Sequence, residues 1–203
     1  MPQFGPFPLY YATPGRRVLL RRWGWRFFIV GALVLVSWAD RRGLLLAEIP
    51  DRETYHLRSA RVIRVIDGDT IEIEAPDTRF AEPTTRVRVW GIDSPELARV
   101  EGRVSAARSE PFAMEAAHLT SELLHGVTVT LRLEPGRSRG RFGRLLAHVD
   151  LPDGTSLAES LLSAGLARAD AAEPHALLDR YLQIEWAARR GRVGLWAGAG
   201  PDG

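Results

Sequence analysis

The chain has 203 residues, 45% of them hydrophobic and 26% charged, which predicts one folded domain with an additional segment and excludes a disordered chain. The absence of cysteine excludes a disulfide framework and a thiolate zinc site. All of the lysine and arginine positions are arginine, and the positive net charge of +2 comes from residues 1–50. Overall charge therefore gives no argument that the rest of the chain binds nucleic acid. Only local arginine clusters could provide one.

The N-terminal part divides by composition into three segments. Residues 1–22 form a basic tail, and residues 40–60 show no clear period and are interpreted as a linker. Between them, residues 23–39 contain the uncharged run FFIVGALVLVSWA and predict a hydrophobic helix. This helix is either a signal-anchor that spans the membrane or a signal peptide cleaved near Ala39. The long basic stretch before Phe27 favours the anchor, so we expect a membrane-anchored protein whose folded domain is extracytoplasmic, with secretion as the alternative.

Residues 61–197 predict a folded domain, followed by a short tail at 198–203. Alternating apolar residues rich in valine and isoleucine predict five strands, at Arg61–Ile66, Thr70–Glu74, Thr85–Trp90, Val127–Leu133 and Leu145–Asp150. Apolar residues at helical spacing predict three helices, which start at Ser109, Ser156 and near Pro174. The order of three strands, one helix, two strands and two helices predicts an α+β fold built on a five-stranded oligonucleotide-binding (OB) barrel.

The motif VIDGDT places Asp67 and Asp69 on either side of a glycine between the first two strands. By itself this motif is most often a hairpin turn, because Asp-Gly is the strongest short hairpin signal. Two carboxylates held this close repel each other, however, and their burial is costly without a cation. Both interpretations, a plain turn and half of a metal site, remain open from this motif alone.

The motif WGIDSPE follows the third strand directly and places Asp93 and Glu96 just beyond its end. Arg88 lies inside that strand, where an arginine needs an anion as its partner. The commoner arrangement is a salt bridge to Asp93 or Glu96. The alternative is a role in binding a phosphate, because the planar guanidinium matches phosphate geometry.

A third cluster, EPGRSRGRFGR, lies between the last two strands and contains four arginines. We expect Arg137, Arg139 and Arg141 to be solvated in a mobile loop, whereas Arg144 opens a strand and is held in place. Hard carboxylate oxygens suit Ca²⁺ or Mg²⁺, and a cation with two placed arginines around a phosphate is what phosphoryl transfer requires. The sequence therefore indicates a phosphoryl-transfer site.

The sequence resembles the staphylococcal nuclease-like (thermonuclease) family from Arg61 to Trp196. The segments that match, in their order along the chain, are VIDGDT, RVRVWGIDSPE, FAMEAAHLTSELL, RFGRLLAHVDLPDG, LAESLLSAGLARAD and RRGRVGLW. The resemblance implies an OB barrel with three helices and hydrolysis of DNA and RNA phosphodiester bonds with Ca²⁺ as cofactor. A monomer is expected.

The resemblance also implies roles for individual residues. Asp69, Asp93 and the backbone carbonyl of Ser94 resemble the calcium ligands, with Asp67 in a second shell around the ion. Arg88 and Arg144 resemble the arginines that clamp the phosphate, and Glu96 resembles the proposed general base. Phe142, in a substrate-binding position, replaces the tyrosine that is common there.

Some segments of the chain depart from the family pattern. The loops at 75–84 and 97–111 differ from the family pattern, and the stretch ADAAEPH lacks aromatic residues that stack on a base.

A rival hypothesis is an inactive OB-fold module that binds nucleic acid or protein. The presence of every expected catalytic residue argues against this rival. Histidines on predicted helices or strands without a partner in sequence are assigned no role: His118, His125, His148 and His175.

Overall fold

The computed structural model describes residues 51–172 and 174–198. The basic tail, the predicted hydrophobic helix at 23–39 and nearly all of the predicted C-terminal tail lie outside the described residues. Within the described ranges, no helix combines the length and the apolar character that a membrane crossing requires.

Four α-helices and nine strands are described. The helices are α1 (Asp51–Tyr55), α2 (Ala113–Leu124), α3 (Leu157–Ser163) and α4 (Leu178–Gly191). The strands are β1 (Arg58–Asp67), β2 (Thr70–Ile73), β3 (Thr85–Val89), β4 (Ile92–Asp93), β5 (Arg99–Val100), β6 (Arg103–Val104), β7 (Thr128–Arg132), β8 (Leu145–Asp150) and β9 (Arg168–Ala169). Short 3-10 helices occur at Ala106–Arg108 and Gly194–Trp196.

Five strands close into a barrel in the order β1-β2-β3-β8-β7, which confirms the predicted α+β barrel. All neighbours are antiparallel except β3 and β8, which run parallel. Strand β1 closes the barrel because its first half pairs with β7 and its second half pairs with β2, with register shifts between Val62 and Arg64 and between Val65 and Asp67. These irregularities bend the strand, so that one strand serves two neighbours.

The alternation of β3 shows how the sequence sets the faces of the barrel. Thr85, Val87 and Val89 are buried, while Arg86 is exposed and Arg88 is partly buried at the rim. Apolar residues of the strands and of the three longer helices share one core, and α3 contributes Leu157, Leu161 and Leu162 to it, each fully buried. The side chains of Thr85, Val87 and Val89 therefore pack into the barrel core, while Arg88 is partly exposed at the barrel rim and can contact a ligand.

Several predicted boundaries differ from the structure, including the start of the folded domain and the start of helix α2. The segment 40–60, predicted as a linker, contains helix α1 and the first residues of β1 in its described part, so the folded domain begins before Arg61. Helix α2 begins at Ala113 rather than at Ser109, because Phe112 takes a left-handed conformation with φ of 68°. The Ser109 hydroxyl donates to the carbonyl of Ser105, so it fixes the preceding loop and does not cap the helix.

Candidate functional site

The VIDGDT motif forms the tight connection between β1 and β2, in which Asp67 pairs with Thr70. A Cβ atom at Gly68 would lie 2.7 Å from the Ala116 Cβ of α2 and 2.7 Å from the Ser94 Oγ, so only glycine permits this approach. The motif is therefore a hairpin turn that is also pressed against the helix and against the WGIDSPE segment. Both aspartates are buried as a result, with 5% of Asp67 and 1% of Asp69 exposed.

Asp69 is the centre of a hydrogen-bond network that joins all three sequence clusters. Its Oδ1 accepts hydrogen bonds from Arg88 Nη1 at 2.8 Å and from the Thr70 hydroxyl at 3.0 Å. Its Oδ2 accepts the backbone N–H of Ser94 at 2.8 Å. Ser94, expected to act through its carbonyl, thus also contributes its amide.

Arg88 connects the two sites of negative charge at the barrel rim. While Nη1 binds Asp69, Nη2 donates to Asp93 Oδ1 at 2.5 Å. Burial lowers the pKa of Arg88, but the charges of Asp69 and Asp93 outweigh it and raise the pKa above its ordinary value. The side chain of Asp93 is 61% exposed, so this end of the network faces solvent and is open to a ligand.

Asp67 lies beside this network with one oxygen left unpartnered. Its Oδ1 is buried and has no hydrogen-bond partner among the described residues. Burial, together with the negative charges of Asp69 and Glu96, raises the pKa of Asp67 to about 6. The site therefore holds more negative charge than Arg88 alone neutralises, which is the electrostatic condition for binding a cation.

Replacing Asp67 by asparagine is expected to stabilise the cation-free protein more at high pH than at low pH. Because the folded-state pKa is raised above the ordinary value of 3.8, the folded state binds more protons between about pH 4 and 6, and stability falls as pH rises through that window. The advantage of Asp67→Asn should grow by about 1 kcal/mol from pH 5 to pH 8, measured by urea unfolding in chelator. The exposed Glu115→Gln variant is the control, and an equal change in both variants would contradict the assignment.

Glu96, from the WGIDSPE segment, and Arg144, from the arginine-rich cluster, complete the site. Both residues, with Arg88, line one groove of about 250 Å³ at the end of the barrel. Arg144 Nη1 donates to the Thr70 hydroxyl at 3.1 Å, and Arg144 Nε is buried without a partner among the described residues. Glu96 is exposed at the groove, and its backbone N–H donates to Glu110 Oε2 at 3.0 Å. Glu110 is a positioning contact for Glu96 that the sequence analysis did not single out.

Two phenylalanines border an adjacent groove of about 460 Å³ that also contains Arg144. Phe142 is 77% exposed, and Phe80, from the altered loop 75–84, is 52% exposed. The Phe80 ring packs on Gly143, where a Cβ atom would lie 2.6 Å from Phe80 Cζ. The sequence indicates Phe142 but not Phe80, because nothing in the local sequence shows that the 75–84 loop folds toward Arg144.

The prediction for the arginine-rich loop is wrong at Arg139. Arg137 and Arg141 are exposed, but Arg139 is buried, with only 8% of its surface exposed. Its guanidinium forms ion pairs with Asp51 at 2.6 Å and with Asp77 at 2.7 Å, and it donates to the carbonyl of Gly143 at 3.1 Å. Arg139 therefore attaches the arginine-rich loop to α1 and to the 75–84 loop. It also fixes Gly143, the residue directly before Arg144.

The geometry brings the predicted residues into one neighbourhood. Asp69, Arg88 and Asp93 are joined by ion pairs, and Arg88, Arg144 and Glu96 share one groove. Chemically, this neighbourhood offers oxygen ligands beside two guanidinium groups and one exposed carboxylate. It can bind a cation together with a phosphate, and it can accept a proton from a water molecule.

Comparison with known proteins identifies related sequences. Residues 86–198 match the family model described as "Staphylococcal nuclease homologue". The chain is 32% identical over 139 residues to "Endonuclease YncB" of Bacillus subtilis, covering 68% of this chain and 61% of that protein. It is 35% identical over 147 residues to an "Uncharacterized endonuclease" of Escherichia coli O157:H7, covering 70% of this chain and 78% of that protein.

A further relative shows that the shared region can be part of a longer protein. The "SPbeta prophage-derived endonuclease YokF" of Bacillus subtilis is 32% identical over 136 residues, which cover 66% of this chain but 42% of that protein. The chain thus spans less than two thirds of the length of both YokF and YncB.

Proposed function

The chain belongs to the staphylococcal nuclease homologue family, and from that premise we propose that it is a Ca²⁺-dependent nuclease that hydrolyses phosphodiester bonds of DNA or RNA. The observation that carries this proposal is the shared groove of Arg88, Glu96 and Arg144 beside the buried carboxylate of Asp69. Relatives described as endonucleases support the same reaction. The physical argument rests on what each side chain can do to a bound phosphate.

The carboxylates fit a hard cation. The unpartnered, buried Oδ1 of Asp67 and the raised pKa of this residue both indicate a site with uncompensated negative charge. Asp69, Asp93 and the backbone carbonyl of Ser94 would hold Ca²⁺, with Asp67 behind them, because oxygen donors are the ligands that this ion prefers. When bound, Ca²⁺ supplies charge stabilisation to the phosphate oxygens.

The arginines and Glu96 supply the remaining chemistry. Arg88 and Arg144 approach the groove from β3 and from the start of β8, so a phosphodiester between them is gripped from two sides. Glu96 accepts a proton from water as the water oxygen forms a bond to phosphorus. The P–O bond to the leaving nucleotide then breaks, the leaving oxygen keeps the bonding electron pair and takes a proton from solvent, and the arginines stabilise the charge that develops on the phosphate oxygens. Phe142 offers an exposed ring on which a neighbouring base can stack.

The decisive experiment follows digestion of plasmid DNA and of single-stranded RNA by the purified chain. We expect cleavage with Ca²⁺, none in excess chelator, and recovery when Ca²⁺ is restored. Glu96→Gln should abolish cleavage while oligonucleotide binding persists, and Phe142→Ala should raise KM more than it lowers kcat. An inert protein that still binds nucleic acid would instead support the rival hypothesis of an OB-fold binding module.

We also propose that residues 23–39 attach the nuclease domain to a membrane and place it outside the cytoplasm. The support is the sequence pattern alone, an uncharged apolar run flanked by arginines. Membrane fractionation and the mass of the mature protein test this proposal. Recovery in the soluble fraction with a new N-terminus close to Ala39 would replace the anchor by a cleaved signal peptide.

A further inference from the structure

Outside the carboxylate site, three side chains from distant segments meet at the outer side of β8. Glu134 follows β7, His148 lies within β8, and His175 precedes α4. Glu134 Oε1 lies 3.0 Å from His148 Nε2, and one donor atom of each residue lies within 4.8 Å of the other two. None of the three takes part in the nuclease mechanism proposed above. We infer that Glu134, His148 and His175 form a second metal site, selective for Zn²⁺ or a similar transition-metal ion.

The donor set itself indicates the class of ion. Two imidazoles and one carboxylate suit zinc and other borderline divalent metals, whereas calcium prefers oxygen ligands alone. Ligands bound at about 2.0–2.1 Å in a tetrahedral arrangement lie about 3.3 Å from one another. The Glu134–His148 separation of 3.0 Å is close to this spacing, and the donor atoms of all three residues lie within 4.8 Å of one another.

The surroundings hold these donors in place. The other ring nitrogen of His148, Nδ1, lies 3.1 Å from the Tyr181 hydroxyl, the kind of contact that orients a metal-binding imidazole. The backbone N–H of Ala176 donates to Glu134 Oε1 at 3.3 Å. Both contacts fix the donor atoms before any ion arrives, which reduces the cost of ordering them.

A hydrogen-bond network without a metal explains these residues less completely. Such a network would use the contact between Glu134 and His148 and the contact between His148 and Tyr181. It would leave His175 Nε2 buried against Gly91 without a hydrogen-bond partner among the described residues, while His175 Nδ1 accepts the backbone N–H of Leu177 at 3.3 Å.

The test uses the full chain, purified without a histidine tag and stripped of metal with chelator. After addition of ZnCl₂ and gel filtration, elemental analysis should find one equivalent of zinc per chain. Titration with CoCl₂ should produce visible absorption bands of protein-bound cobalt. A hundredfold excess of zinc over its Kd should raise Tm by about 5 °C or more. Retention of no zinc by the folded protein would overturn the proposal.

Variants locate the site. Glu134→Gln and His175→Gln should each weaken zinc binding by at least about tenfold and remove the cobalt bands. Both positions are partly exposed, so these variants should fold, which circular dichroism can verify. His118→Ala, on the exposed face of α2, and Asp93→Asn, in the carboxylate site, should retain one zinc. Unchanged zinc binding in the first pair, or its loss in Asp93→Asn, would refute the site.

Discussion

Replacing Arg144 by glutamine is expected to lower kcat for phosphodiester cleavage by about 10³-fold in a protein that remains folded. Arg144 lines the groove with Arg88 and Glu96, and its guanidinium donates a hydrogen bond to the Thr70 hydroxyl. An arginine that stabilises charge in a phosphoryl-transfer transition state contributes about 10³–10⁵ in rate. Loss of one hydrogen bond from a charged donor costs about 1.5–3 kcal/mol, which is within the stability of a typical folded domain. Single-turnover cleavage of a defined oligonucleotide and urea unfolding measure the two effects separately.

Arg190→Gln provides the matched control for this experiment, because Arg190 stacks on the exposed Trp186 of α4 and does not line the groove. Its cleavage rate should remain within about twofold of the parent protein. Arg144→Lys is a second useful variant, since it keeps the charge but loses the planar fork and should recover only part of the activity. A cleavage rate for Arg144→Gln within tenfold of the parent protein would contradict the role assigned to this arginine.

Replacing Arg139 by glutamine is expected to destabilise the protein by about 3–5 kcal/mol. The substitution leaves the partly buried Asp51 and the buried Asp77 without their cation, with side chains that are only 11% and 7% exposed. Breaking a buried ion pair from one side is costly because an uncompensated charge remains behind. Urea unfolding at neutral pH measures the loss of stability. The loss should be smaller when Asp77→Asn is combined with Arg139→Gln, because one of the two uncompensated carboxylate charges is then removed.

Arg132→Gln is the control for Arg139. Arg132 also makes a two-bond ion pair, with Asp150, but the two side chains are 37% and 22% exposed. Solvent screens such a pair, so its loss should cost no more than about 1 kcal/mol. Equal losses of unfolding free energy in the Arg139 and Arg132 variants would contradict the prediction, because burial of the Asp51–Arg139–Asp77 cluster would then add nothing to the cost of removing the arginine.

The strands of the barrel could be predicted from the sequence because their signal is local. In β3, the alternation of Thr85, Val87 and Val89 with two arginines determines which side chains face the core. The same alternation predicts that Arg88 points away from the core, toward a polar partner. Helix α2 was predicted with its start too early, because the conformation of Phe112 depends on packing and not on the capping signal at Ser109.

Contacts between segments distant in sequence could not be predicted in the same way. Arg137, Arg139 and Arg141 have similar neighbours in the chain, yet only Arg139 among these three is buried. The difference arises because α1 and the 75–84 loop each bring an aspartate to the same point. Burial of an arginine is favourable only where such partners converge, and no local pattern reports this convergence.

The sequence by itself determined the barrel strands, the acidic motifs and the placement of arginines beside them, because side-chain alternation and turn chemistry act over a few residues. Only the tertiary structure decided that Arg88 joins Asp69 to Asp93, that Arg139 is buried and that Glu134, His148 and His175 meet. The physical reason is that barrel closure and the packing of α2 and α4 set distances between residues far apart in the chain. The interaction of two charges or two metal ligands depends on those distances and on burial.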